Sequence, residues 1–176
     1  MQTVELTVQL KIPDVTALTA SNALRRRLGY HDTLIELRRA DYYRLQLDVE
    51  GEEAAVELAT ELAEHTNLFV NPNKHRYSVS AGSARPSEPR EDGLRTVNIL
   101  VTDPDSGAGS SVLSALRGRL GYGDRVVDVV AGNLWTLTLK ADSHEQAEQV
   151  AEKLAVTVSR EQGLLLNPHF QQYQMW

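Results

Sequence analysis

The sequence predicts an α+β fold built as two tandem βαββαβ units, residues 1–80 and 95–176, joined by a linker at 81–94. Three observations predict it. First, Ala23-Leu24-Arg25-Arg26-Arg27-Leu28-Gly29-Tyr30 returns as Ala115-Leu116-Arg117-Gly118-Arg119-Leu120-Gly121-Tyr122, 92 residues later and identical at seven of eight positions. Second, the apolar spacing around each copy switches between the strand and helix periods in the same order. Third, Asn71-Pro72 followed by Tyr77 is answered by Asn167-Pro168 followed by Tyr173. The period lies far above the ~20–50 residues of solenoid repeats, which makes this a duplicated domain.

In the first unit, Thr3 to Lys11 alternates, with Val4, Leu6, Val8 and Leu10 on one face, as in a half-buried strand. Pro13-Asp14 ends it. Val15 to Leu28 reads as a helix striped by Ala17, Leu24 and Leu28, with Arg25 to Arg27 in the last turn, where cations suit the helix dipole. Gly29 is the expected left-handed stop and Tyr30 its apolar follower. Thr33 to Arg39 and Tyr42 to Val49 are expected strands, joined by a tight hairpin at Ala40-Asp41. A helix from about Glu52 to Glu64 carries Ala55, Leu58, Ala59 and Leu62 on its inner stripe. A loop around Asn71-Pro72 leads to a last strand, His75 to Ser80.

The second unit repeats the plan. Arg95 to Val101 is a strand, Asp103-Pro104-Asp105-Ser106-Gly107 turns, and Val112, Ala115, Leu116 and Leu120 stripe a helix ending at Gly121. Val126 to Val130 and Leu134 to Lys140 are paired strands expected to meet at Gly132-Asn133. Ser143 caps a helix expected to reach about Ser159. Between the units, Ala81 to Gly93 is rich in Ser, Ala, Gly, Pro and charge, the composition of a linker.

Composition narrows the function. Without cysteine there is neither a disulfide nor a thiolate-bound metal, which suits a reducing, cytoplasmic setting. The first residues lack the pattern of a signal peptide. Residues 1–82 hold 9 Lys/Arg against 12 Asp/Glu, and 95–176 hold 7 against 9, so neither unit offers the general basic surface of a nucleic-acid binder.

No constellation points to chemistry. His31, His65, His75, His144 and His169 form no metal spacing, and no Gly-x-Ser-x-Gly elbow holds a nucleophile. Asp103-Pro104-Asp105-Ser106-Gly107 starts like a calcium loop, but Pro104 and Ser114 stand at positions that reject it. Gly107-Ala108-Gly109 lacks the third Gly and the Lys of phosphate loops, and reads as helix entry through small residues. Arg25, Arg26, Arg27, Arg38, Arg39 and Arg44 make the first unit locally basic. Tyr43 and Trp135 hold matching strand positions, but the basic-Gly-aromatic run of RNA-binding RRM strands is absent, which leaves aromatic anchoring of one sheet on another.

On these residues the chain resembles the PurS family, the small subunit of phosphoribosylformylglycinamidine synthase. The resemblance rests on Asp103-Pro104-Asp105-Ser106-Gly107, the Ala-Leu…Leu-Gly-Tyr segments, Asn133-Leu134-Trp135-Thr136-Leu137 and the closing Asn-Pro…Tyr. It covers both units and omits the linker. It implies two PurS-like units packed as a pseudo-twofold fused dimer, with no active site, cofactor or metal of their own. It also implies a bridging role in purine biosynthesis between a glutaminase subunit that releases ammonia and an ATP-using synthetase subunit that consumes it. The chain departs from the family where Arg-x-Gly-Lys becomes Arg38-Arg39-Ala40-Asp41 and Val130-Ala131-Gly132-Asn133. It departs again where Pro-Val-Ile-Glu becomes Pro72-Asn73-Lys74-His75 and Pro168-His169-Phe170-Gln171.

The residues expected at a partner interface are Arg25, Arg27, Tyr30, Arg38, Tyr43, Asn71, Pro72, Tyr122, Trp135, Asn167 and Pro168. Self-association through remaining sheet or helix surface is compatible with this reading; contacts with nucleic acid or membrane are not expected. The alternative is a diverged regulatory module that holds a small ligand between its halves or serves another partner.

Overall fold

The computed structural model describes residues 1–82, 93–159 and 162–176. The linker expected at 81–94 lies largely outside the described residues. The first repeat forms β1 (Gln2–Leu10), α1 (Val15–Arg26), β2 (Leu34–Leu47), α2 (Glu52–His65) and β3 (His75–Ala81). The second forms β4 (Leu94–Thr102), α3 (Ala108–Ser114), β5 (Val126–Lys140), α4 (His144–Ala155) and β6 (Gln172–Met175). The strands make one six-stranded antiparallel sheet in the order β3-β1-β2-β5-β4-β6.

The two expected hairpins do not form. β2 runs unbroken through Ala40-Asp41 and β5 through Gly132-Asn133. Two-residue hairpins need residues with positive φ, and none of these four has one. Each repeat is therefore βαβαβ, not βαββαβ.

The chain divides into two compact units, and each draws on both repeats. The first contains β1, β2 from Ala40 onward, α2, β3 and the segment Pro104–Gly132 with α3 and the start of β5. β1 is its central strand, pairing antiparallel with β2 (Leu6↔Tyr43) and with β3 (Val8↔Tyr77). Alternation sends Val4, Leu6 and Val8 to one face, where they meet Ala55, Leu58, Ala59, Leu62 and Ala63 of α2. Leu116, Val126 and Val129, all from the second repeat, close this core.

The second unit contains Pro13–Arg39, β4 and Asn133–Trp176. Val97, Ile99 and Val101 of β4 and Trp135, Leu137 and Leu139 of β5 face Ala147, Ala151, Leu154 and Ala155 of α4. Here the closing residues, Ala17 and Leu24 of α1 and Leu34 and Leu37 of β2, come from the first repeat. The Leu-Arg-x-Arg-Leu-Gly-Tyr helices are thus exchanged: each seals a core built on the other repeat's first strand. Leu24 and Leu116 are both fully buried; burying one leucine side chain is worth about 1.5–3 kcal/mol.

Local chemistry sets the helix ends. The Asp14 carboxylate accepts from the N–H groups of Thr16 (2.8 Å) and Ala17 (3.1 Å) and starts α1. Gly29 is left-handed at φ 76°, and Tyr30 N–H returns to Leu24 O at 3.3 Å. The second copy stops the same way, with Gly121 at φ 76° and Tyr122 N–H on Leu116 O at 3.0 Å. Its last turn differs: Ala115–Arg119 is π-helical, where an α-helical stripe was expected. Gly118 replaces Arg26 there, and glycine's weak helix preference permits the wider turn.

Gly109 explains the small residues at the entry to α3. A Cβ at that position would lie 2.1 Å from Val129 O, so the helix rests directly on the β5 backbone. Ser143 caps α4 as expected, accepting from Gln146 N–H at 3.1 Å. The helix ends at Ala155, short of Ser159, because the returning chain takes its last carbonyls. Leu164 N–H bonds Leu154 O, and Leu165 and Leu166 N–H bond Ala155 O, at 2.9–3.0 Å.

Candidate functional site

The repeated arginine has an internal task in both units. Arg25 donates through Nε to Leu34 O at 2.8 Å and through Nη2 to Ile35 O. Arg117 donates to Val126 O at 2.9 Å and to Val127 O at 3.0 Å. Successive carbonyls of a regular strand point to opposite edges, so one guanidinium reaching both marks an irregular step. Burial slips phase at the same place: Leu34 and Leu37 are buried with Ile35 and Glu36 exposed between them, and Val126 and Val129 are buried around a more exposed pair. The arginine ties the end of its helix to the start of the strand that follows.

The Asn-Pro motifs build one turn twice. Asn71 Oδ1 accepts from Asn73 N–H at 3.0 Å, and Asn71 O accepts from the N–H groups of Lys74 and His75. Asn167 does the same for His169, Phe170 and Gln171. The amide of each Asn is received four residues on, by His75 Nδ1 at 3.1 Å and by Gln171 Oε1 at 2.9 Å. Such Asx turns are local side-chain solutions to backbone hydrogen bonding. The bond to Nδ1 places the proton of His75 on Nε2.

Beside the first of these turns lies a cleft of about 550 Å³. Ala63, Val70 and Pro72 supply its apolar wall. Lys11, Glu64, His65, His75, Arg76 and Tyr77 supply its polar groups. Lys11 Nζ donates to Pro72 O at 2.6 Å and fixes the rim. Arg76 Nε donates to Gln9 Oε1 at 3.1 Å. Tyr77 OH donates to Glu64 at 2.5 Å.

Three tyrosines share that last arrangement. Tyr122 OH donates to Glu61 at 3.0 Å in the first unit, and Tyr173 OH to Glu152 at 2.8 Å in the second. The hydrogen bond to the carboxylate, then burial, then the carboxylate's charge hold the Tyr77 and Tyr173 phenols above their ordinary range. For Tyr122 burial comes first and the bond to Glu61 second, with Arg125 opposing. Tyr30 is the counterpart of Tyr122, and Lys153 stands at the position matching Glu61.

Residues 3–82 match the PurS family model, described as phosphoribosylformylglycinamidine (FGAM) synthase. Over these residues the chain is similar to the PurS family. No curated protein matches the chain. The PurS segment carries the first copy of the helix-end device, the first Asn-Pro turn and the cleft beside it. The arginine clamp, Gly-Tyr stop and Asn-Pro turn recur in the second repeat.

Against this PurS frame, the expected interface residues separate into groups. Arg25, Asn71 and Asn167 hold local structure through the bonds above. Trp135 is 7% exposed within the second core, and Tyr43 packs edge-on against Phe69 with ring centroids 4.8 Å apart. Tyr30 and Tyr122 pack on the rims of the two cores. Arg27, Arg38, Pro72 and Pro168 are exposed, Arg38 beside Glu36 at 3.5 Å.

Sequence reasoning missed the cleft. Lys11, Glu64 and Arg76 are scattered along the chain, and only the β1–β3 register and the end of α2 gather them. Among the described residues, no group of three His, Asp or Glu side chains is placed to hold a metal, and no helix is long and apolar enough to cross a membrane.

Proposed function

We propose that the chain is a non-catalytic subunit of FGAM synthase in de novo purine biosynthesis. It joins the glutaminase and synthetase subunits and supports ammonia transfer between them in the cytoplasm. The observation that carries this reading is the PurS match over residues 3–82. The second repeat supports the extension to a tandem pair, because its arginine clamp, Gly-Tyr stop and Asn-Pro turn reproduce those of the PurS segment. The exchange of helices also supports a fused, pseudo-twofold dimer, since neither repeat completes a core alone.

Reconstitution tests the proposal. The glutaminase and synthetase subunits are assayed for FGAM formation with and without this chain, using glutamine or ammonium as nitrogen source. Glutamine-dependent synthesis is expected to require the chain, and ammonium-dependent synthesis to persist without it. Full glutamine-dependent synthesis in its absence overturns the reading.

A further inference from the structure

We propose that the cleft beside Asn71-Pro72 binds a small molecule through a carboxylate or phosphate group. The inference goes beyond the bridging role and does not depend on it. The cleft's volume of about 550 Å³ suits a small-molecule site, for which pockets of about 300–1,000 Å³ are usual. Its apolar wall and convergent donors have the usual make-up of such a site.

The donors suit an oxyanion. Lys11 keeps two ammonium protons beyond the one given to Pro72 O, and Arg76 has two NH₂ groups beyond the Nε bound to Gln9. His75 presents Nε2–H because Nδ1 receives the Asn71 amide. His65 adds a further imidazole at the end of α2. The one carboxylate in the lining, Glu64, accepts the Tyr77 hydroxyl.

The second unit serves as an internal control. Val101↔Tyr173 repeats the Val8↔Tyr77 register, and the Asn-Pro turn is the same. Yet Gln171 and Gln172 stand where the first unit has His75 and Arg76, and three residues after Val101, where the first unit has Lys11 three residues after Val8, the second has Pro104. The turn thus persists without Lys11 and Arg76, so the fold does not require these two cations. Charge-assisted hydrogen bonding to an anion gives them a purpose.

Titration of the full chain at constant ionic strength tests this, with sodium phosphate in one arm and sodium succinate in the other. Backbone amide NMR shifts and calorimetry are the readouts. Saturable shifts are expected at Lys11, Asn73, Arg76 and Tyr77. Affinity is expected to weaken about tenfold in each of Lys11→Gln and Arg76→Gln, with Tm within a degree or so of the parent, as for exposed side chains. Saturation by phosphate alone assigns a phosphate-bearing ligand; saturation by succinate alone assigns a carboxylate, and saturation by both a general oxyanion site. Absence of saturation in both arms, or saturation untouched by both substitutions, overturns the proposal.

Discussion

The two compact units use the same parts and differ where their surfaces meet solvent. In both, an arginine clamps the step that begins a long strand, a Gly-Tyr pair stops a helix, and an Asn-Pro turn precedes the last strand. Beside that turn the first unit presents Lys11, Lys74, His75 and Arg76, whereas the second presents Phe170, 71% exposed, with Gln171 and Gln172. The elements that persist satisfy backbone groups or fill cores. At the turn flanks His75 and Gln171 are alternative acceptors for the Asn amide, and the other positions are free to specialise.

The sharpest test of the exchange is to divide the chain. Residues 1–82 lack Leu116, Val126 and Val129, which close the first core, and residues 93–176 lack Leu24 and Leu34, which close the second. Neither half is expected to persist as a folded monomer, and co-expressed halves are expected to elute together at one-to-one stoichiometry in size exclusion with light scattering. A folded monomeric half breaks the comparison.

Smaller perturbations should divide into equal and unequal effects. Leu24→Ala and Leu116→Ala should each destabilise by about 2–5 kcal/mol in urea unfolding, because both side chains are fully buried. Gly163→Ala should cost about 3 kcal/mol; the matching position of the first unit, 96 residues earlier, is Asn67, itself left-handed at φ 54°. Its Cβ would lie 1.7 Å from Val156 O at a backbone φ of 73°. Arg25→Met and Arg117→Met should each cost about 1–3 kcal/mol, since each strips a charged donor from two carbonyls. Unequal losses at the two arginines would show that the π-helical turn has changed the clamp.

The mildest effect concerns pH. The phenols of Tyr77, Tyr122 and Tyr173 are raised from 10.0 in the folded chain, so the folded state keeps these protons to higher pH than the unfolded state. Their contribution is present below pH 10 and lost as pH climbs through the raised values. Stability should therefore fall above pH 10, and Tyr77→Phe or Tyr173→Phe should flatten that fall, as followed by urea midpoint against pH.

Much of the fold was legible in the sequence where the physics is local. Asp14 and Ser143 cap helices through N–H groups two or three residues away, Gly29 and Gly121 take left-handed stops, and the stripes Ala55-Leu58-Ala59-Leu62 and Ala147-Ala151-Leu154 repeat at helical spacing. The Asn-Pro turns, the oddest short motifs shared by the repeats, close through bonds within four residues. Arg25 was visible as a repeated residue, but its partners at Leu34 and Ile35 depend on the strand's irregular step.

By itself, the sequence determined the helix starts, the two Gly-Tyr stops and the alternation of β1, because each follows from side chains within a turn or two of one another. Tertiary structure decided the rest. Whether Ala40-Asp41 and Gly132-Asn133 turn or run straight depends on neighbouring strands that pair with the backbone on either side. Whether α1 covers its own repeat's strands or the other's depends on which core Leu24 can fill. The cleft exists only because the β1–β3 register sets Arg76 beside Gln9 while Lys11 reaches Pro72 across 61 residues of chain. Those outcomes are settled by long-range packing, to which no short stretch of sequence is a guide.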